Sequence, residues 1–148
     1  MGDDGFGPRV AARLAREELP AWVLVKDFGI CGLHLAFELN GGGYDTVILV
    51  DAVPRGERPG TVYLIAPNLK TPSRAQMDAH NTTPGAVFAA AEMLGGIRSR
   101  VLVVGCEPAR TEEGVGLSGP VESAVPEAMQ LVRTLIGEHA PLAAAAEA

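Results

Sequence analysis

Short β-branched runs alternate along this chain with longer stretches of helical period, and that alternation constrains the fold more than any other feature. It predicts α/β layering, with strands over Val23–Phe28, Thr46–Val50, Thr61–Ile65 and Arg100–Gly105. Three of these runs are near-continuously apolar, as in strands covered on both faces. Helices fill the gaps. Pro8 suits the first turn of one that carries Val10, Ala11, Leu14 and Ala15 on a stripe. Leu33, Ala36 and Phe37 form a second, shorter stripe, closed by Asn40-Gly41-Gly42-Gly43. Thr83 as cap and Pro84 as first helical residue open a third helix, with Val87, Phe88, Ala91 and Leu94 inward and Gly95-Gly96 at its end. A last helix carries Met129, Val132 and Ile136, with Pro126 placed in its first turn. The whole reads as a single domain over residues 1–140 with a flexible alanine-rich tail at 141–148.

One loop lacks its strand. Gly2-Asp3-Asp4-Gly5-Phe6-Gly7 has the character of the turn that follows a strand and opens a helix, yet no strand precedes it in this sequence. The expectation is that a first strand of the fold is missing ahead of it.

Composition narrows the function. The formal charge of -6, with no Lys/Arg run, argues against nucleic acid or an anionic membrane as partner. The longest apolar runs are strand-length, and the first nine residues are acidic and glycine-rich, unlike a secretory leader. Cys31 and Cys106 sit in no CxxC pair, which points to a reducing compartment and a cytoplasmic address.

Three residues could carry chemistry. Asp51 directly follows Val47-Ile48-Leu49-Val50, at the strand end where open α/β sheets present functional groups. A charge there is costly unless solvated or paired, so a solvated strand end or helix cap is the plain alternative. Asp4 lies in the glycine-rich loop, where Asp-Gly is also ordinary turn chemistry. His80 lies before the third helix, and a lone loop histidine is more often solvated than liganding. If they converge, two carboxylates and an imidazole make an open metal site suited to Ni, Zn, Fe or Cu, with positions left for water or substrate donors. Other candidates are weaker. Gly2-x-x-Gly5-x-Gly7 is not a nucleotide fingerprint and no Walker lysine follows. Cys31 with His34 reads as two side chains that pack or solvate separately, and Cys106 as a buried small hydrophobe. Ser118 reads as a helix cap outside any GxSxG elbow, and His139 as solvated.

The same motifs, in order, resemble the hydrogenase maturation proteases. They are Gly2-Asp3-Asp4-Gly5-Phe6-Gly7, Asp27-Phe28-Gly29-Ile30-Cys31-Gly32-Leu33, Val50-Asp51-Ala52, Pro59-Gly60-Thr61, Asp78-Ala79-His80, Val103-Val104-Gly105-Cys106-Glu107-Pro108 and Gly116-Leu117-Ser118. The resemblance runs from Gly2 to about Gly137. It implies a three-layer, phosphorylase/hydrolase-like α/β sandwich with a mostly parallel twisted sheet flanked by helices. It also implies that Asp4, Asp51 and His80 are the nickel-contacting residues, with Asp51 and Asp4 catalytic. Asp4 stands where many members carry glutamate. The implied activity is an endopeptidase that removes the C-terminal extension of a nickel-loaded large-subunit precursor of a nickel–iron hydrogenase. The nickel would be carried by that precursor, so the partner is the precursor and neither nucleic acid nor a membrane. A non-catalytic nickel-binding chaperone or adaptor on the same scaffold is the alternative. The family's first strand and its Gly-x-Gly-Asn turn do not appear before Gly2, which matches the strand missing above.

Overall fold

The computed structural model describes residues 5–27, 32–41, 43–66, 84–97, 99–109 and 116–139. Its elements are α1 (Phe6–Leu14), α2 (Gly32–Gly41), β1 (Thr46–Ala52), β2 (Val62–Ile65), α3 (Pro84–Met93), β3 (Arg100–Cys106) and α4 (Gly119–Glu138). The three strands form one sheet in the order β1-β3-β2. Near their amino ends, the Arg100 amide donates to the Asp45 carbonyl, and past their carboxyl ends the Val53 amide donates to the Cys106 carbonyl, so β1 and β3 run parallel. Past β3 the Glu107 amide donates to the Thr61 carbonyl, just ahead of β2, so β2 runs antiparallel to β3. The fold is mixed α/β, with a small sheet flanked by helices. β3 is the central strand, and Val101 to Cys106 are all buried, as its unbroken apolar run requires.

The chain packs as two compact units, to both of which β1 and β3 contribute residues. In the unit built on residues 1–27, 50–64 and 104–148, α1 packs against α4. Phe6, Val10 and Leu14 recur every four residues and are buried, as are Val121, Val125, Met129 and Val132 of α4. Glu122 ties the two helices together, accepting from Arg9 at 2.9 Å and Arg13 at 3.1 Å. In the unit built on residues 28–49 and 65–103, α2 packs against α3 through Ala36, Leu39, Val87, Phe88 and Ala91. Glycines at positive φ follow α3, Gly95 at 131° and Gly96 at 104°, where the sequence placed the helix end.

Five expectations need correction. Residues 23–27 form no strand: the Val23 amide bonds the Pro20 carbonyl in a turn, and Leu24 is 61% exposed. An apolar run becomes a strand only where a neighbour accepts its ladder. Phe37 faces outward, because Leu39 takes the buried position beside Ala36, and Leu94, also expected inward, is exposed just past the end of α3. Pro126 lies inside α4 rather than in its first turn, which Pro120 opens instead. The helix runs through it because Ala124, Val125, Ala128 and Met129 are buried around it, which offsets the backbone bond that proline removes. Ser118 does hold the N-cap position, but its side chain makes no capping hydrogen bond.

Candidate functional site

Asp51 is the penultimate residue of β1, half-buried, and its Oδ1 accepts the Ala52 amide at 2.8 Å. Its environment is set in part by the start of α1. A Cβ on Gly7 would stand 2.2 Å from the Val50 carbonyl oxygen and 3.7 Å from the Asp51 Cα, so only glycine lets the helix approach this close. Gly5 occupies the N-cap of that helix, and Asp4 directly precedes it in the chain.

The segment after β3 holds the chain that follows Asp51, beginning with the Val53 amide on the Cys106 carbonyl. Glu107 is buried, 5% exposed, and its Oε1 accepts from the Arg55 amide at 2.8 Å, the Glu57 amide at 2.9 Å and the Tyr63 hydroxyl at 2.7 Å. Burial pushes the Glu107 carboxyl up, but the Tyr63 hydroxyl and the amides of Glu57, Arg55 and Gly56 together hold it below the usual carboxylate range. Burial and the neighbouring Glu107 push the Tyr63 phenol up to about 12. Sequence reasoning placed Glu107 in a motif without giving it a role. The available signal was a carboxylate directly after a fully apolar strand, the same signal that picked out Asp51.

A cleft of about 410 Å³ opens beside the start of α1, lined by Gly5, Pro8, Arg9, Asp27, Gly116 and Leu117 among others. Residues from three of the sequence motifs meet there: the acidic glycine loop, the segment beginning at Asp27, and Gly116-Leu117.

Asp4 and His80 lie outside the described residues, as does Cys31. Among the described residues no three His, Cys, Asp or Glu side chains cluster to hold a metal ion. His34 lies in α2, Cys106 is buried at the end of β3, and His139 ends α4 half-buried.

A mixed α/β domain with a carboxylate at the carboxyl end of a strand, and a glycine-rich helix start pressed against it, defines the class. The hydrogenase maturation protease family model matches residues 8–135, and the chain belongs to that family. The chain is 31% identical over 132 residues to the hydrogenase expression/formation protein HupD of Rhizobium leguminosarum, covering 86% of this chain and 64% of that protein. It thus spans just under two thirds of that relative's length. It is 36% identical over 139 residues to a Methanocaldococcus jannaschii protein assigned as a hydrogenase maturation protease, covering 89% of this chain and 86% of the other. The crystal structure of a hydrogenase 2 maturation peptidase from a Thaumarchaeota archaeon superposes with a TM-score of 0.69 at 30% identity, covering 93% of this chain and 91% of that one.

Proposed function

We propose that this chain is a processing endopeptidase that removes the C-terminal extension of a nickel–iron hydrogenase large-subunit precursor already loaded with nickel. The observation that carries the reading is Asp51, half-buried at the carboxyl end of β1, in a chain of this family. Asp51 and Asp4 are the catalytic carboxylates, and with His80 they meet the nickel that the precursor brings. Covalent reach supports the pairing: Asp4 is three residues from Gly7, or at most about 11 Å of chain between Cα atoms.

Hydrolysis adds water to the scissile carbonyl, breaks the C–N bond and leaves the proton on the departing amine. A carboxylate at Asp51 suits this in either of two ways, as base toward the attacking water or as the attacking group itself. A site of three ligands from this chain leaves room for donors of the precursor. Cleavage then waits for nickel loading, because the metal completes its ligand set from both proteins. The reading carries a cytoplasmic location, in keeping with cysteines that form no paired motif. Among the described residues no helix is long and apolar enough to cross a membrane.

The test is cleavage of purified precursor, loaded with nickel or nickel-free, followed by intact mass. Loss of the C-terminal extension from the loaded form alone is expected. Tight binding of the loaded precursor without cleavage would instead favour an adaptor.

A further inference from the structure

The segment joining β1 to β2, residues 53–61, leaves the sheet two residues past Asp51 and contains neither helix nor strand. Its shape is imposed from the end of β3. The Val53 amide donates to the Cys106 carbonyl at 2.9 Å, the Gly60 amide to the Glu107 carbonyl at 2.9 Å, and the Glu107 amide to the Thr61 carbonyl at 2.8 Å. Between these backbone ties the Glu107 side chain does the remaining work. One oxygen, Oε1, takes the amides of residues 55 and 57 and the hydroxyl of Tyr63. The guanidinium of Arg55 lies 5.2 Å over the Tyr63 ring, so the main chain and the side chain of Arg55 are held by the same Glu107–Tyr63 pair. Burying a carboxylate is costly, and an apolar side chain of similar size would fill the space more cheaply. What an apolar residue could not do is hold residues 55 and 57.

We propose that Glu107 is a positioning residue for the proteolytic site: by gathering two amides and one hydroxyl onto a single oxygen, it fixes the chain leaving Asp51 and thereby the aim of the Asp51 carboxylate. This rests on the reading of Asp51 as the reacting carboxylate. Because the donors at residues 55, 57 and 63 meet on one oxygen, a neutral acceptor in that place keeps the contacts and forgoes only the charge's share of their strength. A glutamine at 107 offers that same oxygen; a leucine offers none.

The experiment uses the full chain with nickel-loaded precursor, comparing wild type, Glu107→Gln, Glu107→Leu, Tyr63→Phe and Asp51→Asn. It reads kcat and KM separately, together with hydrogen exchange at the amides of residues 55 and 57. In Glu107→Leu, kcat is expected to fall on the order of ten- to hundredfold with little change in KM, as misplacement of a reacting group does. Both amides should exchange faster. Glu107→Gln should restore kcat to within about threefold of wild type, since a neutral acceptor forgoes only part of a hydrogen bond's net worth. Tyr63→Phe should show a smaller fall in kcat with faster exchange at the same amides. Full kcat in Glu107→Leu overturns the proposal, and so does a Glu107→Gln variant as impaired as Glu107→Leu. If Glu107→Leu does not fold, Tyr63→Phe decides: faster exchange with unchanged kcat overturns the proposal. Asp51→Asn separates the two levels. Inactive Asp51→Asn beside fully active Glu107→Leu sinks the positioning role alone, whereas active Asp51→Asn removes the site reading beneath it.

Discussion

Asp51 is next to last in β1 and Glu107 follows β3, so two carboxylates stand at the carboxyl ends of paired parallel strands. Their surroundings differ. Glu107 is buried, and one of its oxygens receives three donors from residues 55, 57 and 63. Asp51 is half-buried and takes the amide of its own neighbour, Ala52. A carboxylate surrounded by converging donors builds structure; one that keeps solvent access at a strand end can meet a substrate. The difference teaches that the type and place of a residue in the sequence do not separate these two roles. The burial of its carboxylate does.

The largest expected effect falls on the side of Asp51. His80→Ala and Asp4→Ala should each abolish precursor cleavage with the far-UV spectrum unchanged, since polar side chains of these types seldom build an apolar core. Asp4→Glu should be tolerated, because it keeps the donor oxygens. Full activity in His80→Ala would break the comparison by removing the imidazole from the proposed site.

The next effect is structural and tests how Asp51 is framed. Gly7→Ala puts a methyl group 2.2 Å from the Val50 oxygen, a backbone atom that cannot swing away. Overpacking of this kind costs about 1–3 kcal/mol, to be read from denaturant midpoints. A midpoint equal to that of wild type would mean that α1 does not sit against β1 as described.

What is legible in the sequence follows the same division between local and distant causes. The bounds of α3 were readable because Pro84 and Gly95-Gly96 act within a few residues of themselves, and β3 because its apolar run is unbroken. Asp51 stood out as a charge closing a run of buried-type residues. Pro126 was misplaced because a local rule against proline yields to the packing of Val125 and Met129. Residues 23–27 were misread because strand identity belongs to a pair, not to a segment. The partners of Glu107 cannot be read from the sequence for a similar reason: the donors at residues 55, 57 and 63 lie 44 to 52 residues away. The sheet was expected to be mostly parallel, and the direction of β2 is set by how the chain after Glu107 meets Gly60 and Thr61.

The smallest effect sharpens the contrast through pH. Glu107 is held below the usual carboxylate range, so its contribution to stability is present above the ordinary value of 4.5 and is lost as pH falls through the lowered one. Tyr63 is raised from 10.0 to about 12, so its contribution is present below 10.0 and lost as pH rises toward 12. Denaturation profiles should therefore lose part of their acid slope in Glu107→Gln and part of their alkaline slope in Tyr63→Phe. Parallel profiles for the variants and wild type would contradict the converging donors.

The most direct measurement is cleavage of nickel-loaded precursor by Asp51→Asn, with the thermal midpoint recorded on the same sample. The amide keeps the shape of the side chain and an oxygen for the Ala52 bond, but gives up the charge on which the proposed metal contact and hydrolysis depend. The account expects no released extension and a midpoint close to that of wild type. Wild-type cleavage by Asp51→Asn would contradict it and move the chemistry away from the end of β1.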